Sequence, residues 1–213
     1  MKKKHPIKLL IAQGEGLNLD FKFEISDAAK IARSLVAFAN TKGGKLLVGV
    51  KDNGIIAGVR SEEEIFMVQN AAQRFCKPEI EFSTKEWNIE GKKVLEVDIP
   101  FSKKYPHKAP DHKGNYRSFI RHEDQNHLAD GIMMKIWKKE KSAQSITITY
   151  NQDVQDILKE LNNTEYLDLK ALHYITGLTK HNTEELVSDL IIMGLVEMDF
   201  LEERTIFKLK VLK

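Results

Sequence analysis

An α+β chain of two domains is predicted by three observations: strand patterns interleaved irregularly with helical ones, a change of pattern near residue 146, and a charge that divides there. Leu17, Leu19, Phe21 and Phe23 alternate with Asn18, Asp20, Lys22 and Glu24, the mark of a half-buried strand. Residues 1–145 hold 26 Lys and Arg against 19 Asp and Glu, whereas residues 146–213 hold 7 against 12. The nominal net charge of +2 therefore hides a basic part of +7 and an acidic part of −5. Domains are accordingly expected at 1–145, with a mixed sheet, and at 146–213.

The elements follow in order. Ser26-Asp27 caps a helix whose Ala28, Ile31, Leu35, Phe38 and Ala39 keep helical spacing. Gly43-Gly44 ends it, and KLLVGV reads as a strand buried on both faces. Residues 51–54 form a turn with a tight Asn-Gly step, and 55–59 are expected to return as a strand. A helix fits 61–76, then a hairpin over EIEFSTKEWNI and KKVLEVDIP turning at Glu90-Gly91. A Pro/His/Lys loop covers 103–114, YRSFIR is a strand, and 127–139 is the last helix of the first domain.

Beyond 146, Val154, Ile157, Leu158 and Leu161 mark a helix over 152–162. Leu169, Leu172 and Ile175 mark a short second one ending at Gly177. Asn182 with Glu185 resembles a capping box opening a third, stopped at Gly194. LVEMDF and RTIFKLKVL then pair about an acidic turn at Glu202-Glu203. Three helices and a hairpin are winged-helix organisation.

Composition narrows the function classes. No run approaches the roughly 18–20 apolar residues that span a bilayer, and the basic start with Lys2, Lys3 and Lys4 lacks a secretory cleavage pattern. The single cysteine, Cys76, excludes an intrachain disulfide and fits a reducing, cytoplasmic setting. It sits in a helical pattern and reads as a buried apolar residue, not a nucleophile. His107, His112, His122 and His127 cluster in sequence but lack zinc-ligand spacing. The Thr-Lys-Gly-Gly-Lys run follows a helix instead of joining a strand to one, so it is not a phosphate-cradling P-loop, and ATP hydrolysis is not expected.

Three stretches carry a family resemblance. EGLNLDFK (15–22) looks like the opening of the Schlafen AlbA family, a glutamate followed five residues later by an acid in a "D/E-F-K" strand. LVAFANTKGGKLLVGVKDNGIIAGV (35–59) is similar to its central signature of helix, "AFANT-x-GG", buried strand, "D-x-G" turn and "GV". YRSFIR (116–121) resembles a later "YVRVGS" strand, with His122-Glu123-Asp124 in place of the Gly-Ser turn. The resemblance implies a mixed-sheet AlbA-like domain, association with DNA or RNA, a bacterial regulator as the usual context, and ribonuclease activity as in some animal members.

Candidate sites follow. If the chain is a nuclease, the resemblance carries Glu15 and Asp20 onto two of three family acids, with Asp52 the best third. Two or three converging carboxylates would hold Mg²⁺ or Mn²⁺ and activate a water. Asp20 and Lys22 share one strand face, where Lys22 would meet the scissile phosphate. Asp20 is shorter than the glutamate usual in the ribonucleases, and Lys51 stands where the family often has another acid; the other reading is the wet face of an amphipathic strand. Asn40, Thr41, Gly43 and Gly44 form either a ligand-contacting corner or, the favoured reading, a place where glycines let helix and strand pack closely. Lys103, Lys104, Tyr105, Lys108, Lys113, Tyr116, Arg117 and Arg121 mix charge with rings that stack on unpaired bases, or else form a solvated surface.

The acidic part conflicts with its fold. The third helix is expected to expose Glu184, Glu185 and Asp189, and the turn carries Glu202 and Glu203, all of which oppose phosphate. Contact with protein, as a homo-oligomer, a partner or the chain's own basic domain, is therefore expected there. The leading reading is nucleic-acid binding through residues 1–145, with a metal-dependent nuclease and a protein-interaction module as alternatives.

Overall fold

The computed structural model describes residues 5–59, 63–142, 146–202 and 204–210. Lys2, Lys3, Lys4, the start of the 61–76 helix, Glu203 and Lys213 lie outside the described residues. The chain divides into two compact units, Met1–Leu128 and Ala129–Lys213.

In the first unit, β1 (Leu19–Lys22), β2 (Gly44–Val48), β3 (Ser83–Ile89) and β4 (Lys92–Ile99) make a sheet of order β1-β2-β4-β3. β1 runs parallel to β2, and the other neighbours are antiparallel. A parallel neighbour needs a crossover, and α2 (Ala28–Asn40) supplies it, with Asp27 capping its first turn. The second half of α2 is buried on every side, with Leu35, Val36, Ala37, Phe38 and Ala39 wholly covered, whereas Lys30 near its start is exposed. It covers one sheet face through Leu46, Val48, Leu95, Val97 and Ile99. The other face holds Leu19, Phe21, Leu47 and Val94 under Ile7 of α1 (Pro6–Ile11), a short helix with no periodic signal in the sequence.

α3 (Glu63–Asn70) continues into a π-helical turn, Ala71–Phe75. Two small hairpins, β5 (Ala109–Pro110) with β6 (Tyr116–Arg117) and β7 (Phe119–His122) with β8 (Gln125–Leu128), complete the unit, so YRSFIR serves two hairpins instead of one strand. Cys76 is buried, as expected, and its thiol is pushed up to about 12 by that burial.

The return strand expected over 55–59 does not form. Gly49, at φ +90°, turns the chain out of the sheet, and only the bridge between Val50 and Ile56 remains. The Gly49 carbonyl instead accepts from both Ala57 and Gly58 N–H groups at 2.9 Å.

The second unit runs α4 (Gly131–Ser142), α5 (Gln152–Asn163), β9 (Leu167–Asp168), α6 (Leu169–Thr176), α7 (Lys180–Ile192), β10 (Val196–Leu201) and β11 (Arg204–Leu209). Its antiparallel sheet has the order β10-β11-β9. The divide after Leu128 precedes the expected boundary at 145/146, because Ile132 and Ile136 of α4 pack with Ile157, Leu172, Leu190 and Phe207. Thr179, not Asn182, caps α7: its extended backbone aims the hydroxyl at Asn182 N–H, 3.3 Å away.

Tight packing fixes the α2–β2 corner. A Cβ on Gly44 would lie 2.3 Å from the Phe38 ring, which is wholly buried and cannot retreat. Gly44→Ala is therefore expected to lower stability by about 1–3 kcal/mol, the usual cost of overpacking, measured as a fall in the urea unfolding midpoint.

Candidate nucleic-acid interface

Burial reassigns the charges of the first unit's amino-terminal strand. Asp20 is 3% exposed and Arg121 is 4% exposed, each too costly to bury alone. The Arg121 guanidinium sits 3.2 Å from Asp20 Oδ1, donates to the carbonyls of Gly16 and Leu19, and reaches Asn126 Oδ1 at 3.1 Å. Its plane lies 5.1 Å from the Phe38 ring centre. Lys22 Nζ stands 2.9 Å from Asp20 Oδ2 but directs its hydrogen bond to the Phe21 carbonyl. Asp20 Oδ2 thus receives no hydrogen bond of good geometry from a fixed donor. Glu15 accepts from Phe21 N–H, and its pKa is raised, first by burial and then by a hydrogen bond to Asp20.

This arrangement does not fit Mg²⁺ or Mn²⁺. Glu15 and Asp20 meet, as the sequence suggested, but a guanidinium and an ammonium occupy the space beside Asp20. Asp52 lies apart on an exposed turn, and among the described residues no three His, Cys, Asp or Glu side chains are placed to share a metal. Nor is Asp20 on a wet face. The strand face it shares with Lys22 turns inward because Arg121 brings it a partner.

The corner after α2 is equally structural. Asn40 donates to the carbonyls of His107 and Phe119 and accepts from His107 N–H at 2.7 Å. Thr41 Oγ1 donates to Ala37 O and accepts from Arg121 N–H, both at 2.8 Å. A Cβ on Gly43 would meet Ile99 O at 2.7 Å. Asn40 and Thr41 therefore clamp loops to α2, and the glycines permit the close approach. Gly43 and Gly44 also line a cleft of about 560 Å³ beside Glu15, Asn18 and Phe101.

The basic loop residues separate into two groups. Arg121 is interior and cannot meet a phosphate. Lys103, Lys104, Lys108, Lys113 and Arg117 are exposed, with Tyr105 and Tyr116 half-buried. Register places Ala109 opposite Arg117 and Pro110 opposite Tyr116. Paired backbone hydrogen bonds between Lys77 and Lys108 bring in a cation that the sequence reading missed, and Lys77 Nζ rests 4.1 Å from the Tyr116 ring centre. Tyr116 also reaches Arg74 O. The missed signal was the Lys77-Pro78 helix stop, which marks where α3's extension ends but not what it faces. Among the described residues Lys77, Lys108, Lys113 and Arg117 have no ion pair, whereas Lys104 lies 3.4 Å from Glu81.

In the second unit the expected exposure of α7's acids is overturned. Lys135 and Lys139 of α4 lie 2.7 Å from Glu185 oxygens, and Lys139 also holds Asp189 at 2.7 Å and Ser188 Oγ. Glu184 is 4.0 Å from Lys135. Glu185 points away from the core residues Val187 and Leu190, so α4 covers the outer side of α7. Burial alone would raise the Glu185 pKa, but hydrogen bonds from Lys135 and Lys139 hold it down at about 2.

The first unit is thus a mixed-sheet α+β domain with a buried ionic cluster and an exposed basic rim. Its residues 15–130 match the family model "Schlafen, AlbA_2", more than half of the chain, and the protein belongs to that family. The DIP2311 protein of Corynebacterium diphtheriae resembles 68% of this chain at 21% identity and a TM-score of 0.46. This chain spans 32% of that protein's length. The N-terminal domain of an ATP-dependent DNA helicase RecG-related protein from Nitrosomonas europaea resembles 70% of this chain at 17% identity and a TM-score of 0.41, over 98% of its own length. No curated protein matches the chain. Among the described residues no helix is long and apolar enough to cross a membrane.

Two predictions follow from the ion pairs. Asp20→Asn leaves Arg121 buried without a counter-charge and is expected to cost about 3–5 kcal/mol. The double change with Arg121→Met should cost less than the sum of the single changes, as a double-mutant cycle of urea unfolding would show. The depressed Glu185 pKa stabilises the fold above the ordinary carboxylate range, and that contribution is lost as pH falls from about 4.5 to about 2. Glu185→Gln should therefore be less stable than wild type near neutral pH, with the gap in unfolding midpoints closing towards the acid end of that window.

Proposed function

We propose that the protein is a nucleic-acid-binding regulator that engages DNA or RNA through the basic rim of its N-terminal unit. The observation that carries this is the group Lys77, Lys108, Lys113 and Arg117, exposed and without ion pairs among the described residues, on the β5–β6 hairpin and the Lys77 segment that pairs with it, where Lys77 lies over the Tyr116 ring. Cations already matched to acids gain little from phosphate; unmatched ones release counterions from the strand and supply most of the affinity. The half-buried Tyr116 ring adds a stacking surface for an unpaired base. Residues 1–128 hold 22 Lys and Arg against 17 Asp and Glu, so the surplus survives the revised boundary. Family membership supports the same reading, since Schlafen AlbA domains are expected to associate with nucleic acid.

The second unit is read as a winged-helix module. The order α5-β9-α6-α7-β10-β11 and the antiparallel sheet β10-β11-β9 support this. Its added α4 removes the outer side of α7 from use in a major groove.

Binding of the full chain to single-stranded DNA, duplex DNA and structured RNA, followed by fluorescence anisotropy at about 0.05 and 0.2 M salt, tests the reading. Wild type is expected to lose affinity steeply with salt, and Lys108→Ala with Arg117→Ala to lower the log–log salt slope by about 2. Absence of binding to all three ligands at the lower salt would overturn it.

A further inference from the structure

The imidazole of His107, directly before Lys108 in the chain, is 1% exposed. Its Nδ1 lies 2.8 Å from the Pro78 carbonyl oxygen and its Nε2 lies 2.7 Å from Ser102 Oγ. A carbonyl oxygen only accepts, so Nδ1 carries the hydrogen, and in the neutral ring Nε2 then accepts from the Ser102 hydroxyl. Ser102 Oγ in turn accepts from Lys104 N–H at 3.1 Å. One chain of hydrogen bonds thus runs from Lys104 through Ser102 and His107 to Pro78.

The segments joined in this way carry exposed lysines. Lys77 precedes Pro78, Lys103 and Lys104 follow Ser102, and Lys108 follows His107 itself. Residues 77–78 and 102–108 lie outside the helices and strands, and two backbone hydrogen bonds between Lys77 and Lys108, at 2.8 and 2.9 Å, link them. The end of α2 anchors the whole. Asn40 bonds both the N–H and the carbonyl of His107, and Ser102 N–H donates to the Ala39 carbonyl. A lysine on a loose loop loses conformational freedom when it settles on a phosphate, and a loop that is already ordered avoids that cost.

We propose that His107 is a positioning residue of the nucleic-acid interface, its buried imidazole fixing the Lys77–Pro78 and Ser102–Lys104 segments beside Lys108 so that they meet a phosphate backbone already ordered. The inference rests on the nucleic-acid-binding reading above. At 1% exposure the ring cannot itself meet a phosphate. Its removal therefore leaves the number of phosphate contacts unchanged and raises only the cost of ordering them. Affinity then falls while the salt slope, which counts the contacts, stays where it was. Loss of a contacting cation lowers both.

The test uses the full chain. His107→Ala is compared with wild type and with the Lys108→Ala/Arg117→Ala variant in anisotropy titrations against the same three nucleic acids across a salt series. Amide hydrogen exchange is followed at Lys77 and Lys108 and along α2. His107→Ala is expected to speed exchange at Lys77 and Lys108 with α2 still protected, and to weaken binding about fivefold at an unchanged salt slope. Lys77→Ala should cost less affinity in the His107→Ala background than in wild type. His107→Asn, whose amide nitrogen can replace Nδ1 as donor to the Pro78 carbonyl, should recover part of the loss. Should His107→Ala not fold, Ser102→Ala, at the half-buried end of the hydrogen-bond chain, carries the same comparison and is expected to weaken binding at an unchanged slope. Unchanged affinity in these variants, while the Lys108/Arg117 variant weakens, would overturn the role of His107 and leave the basic rim intact. A salt slope lowered as in the Lys108/Arg117 variant would overturn it as well, since contacts would then have been lost. Absence of wild-type binding to all three nucleic acids would overturn both readings.

Discussion

The N-terminal unit depends on one buried ion pair. Arg121 arrives on β7 and Asp20 on β1, about a hundred residues apart in the chain, and neither could be interior without the other. The guanidinium has five donors in a fixed fork, and four of them go to Asp20, two backbone carbonyls and Asn126. Those partners tie the Gly16–Leu19 approach, β1 and the β7–β8 hairpin into one body. Thr41 extends the tie to the end of α2 by accepting from the Arg121 backbone.

That choice determines what the acidic strand can do. A metal centre needs carboxylate oxygens free to converge, and here the oxygens of Asp20 face an arginine, a lysine and a neighbouring carboxyl group. Burial and the neighbouring Asp20 both raise the Glu15 pKa. The same residues that suggest catalysis by resemblance therefore act as an internal clamp in this chain, and the charge left for partners lies on the loops outside it.

Electrostatics in the second unit follow the same rule of pairing before exposure. Lys135 and Lys139 each sit three residues after a core position of α4, so the turn that buries Ile132 and Ile136 also aims both lysines at α7. The acids of α7 are consumed locally. A formal charge summed along the chain misses this, because it weighs a neutralised carboxylate and a free one alike.

The sequence by itself determined the elements whose signals are local. Helical spacing and Asp27 defined α2, period-2 alternation defined β1 and the β3–β4 hairpin, and the 15–59 motifs carried the family. The glycine corner was also legible, since Gly43-Gly44 between a helix and a buried strand suggests close packing whatever the partner. Tertiary structure alone decided the rest. Arg121 and Lys108 are both basic residues of one loop region, yet one is interior and the other exposed; only the non-local partner, Asp20, distinguishes them. The placement of α4 with the second unit depended on which hydrophobic core accepted Ile132 and Ile136. Spacing within a helix states that a face must be buried, but it does not state against what, because burial energy has no direction until the other elements are in place.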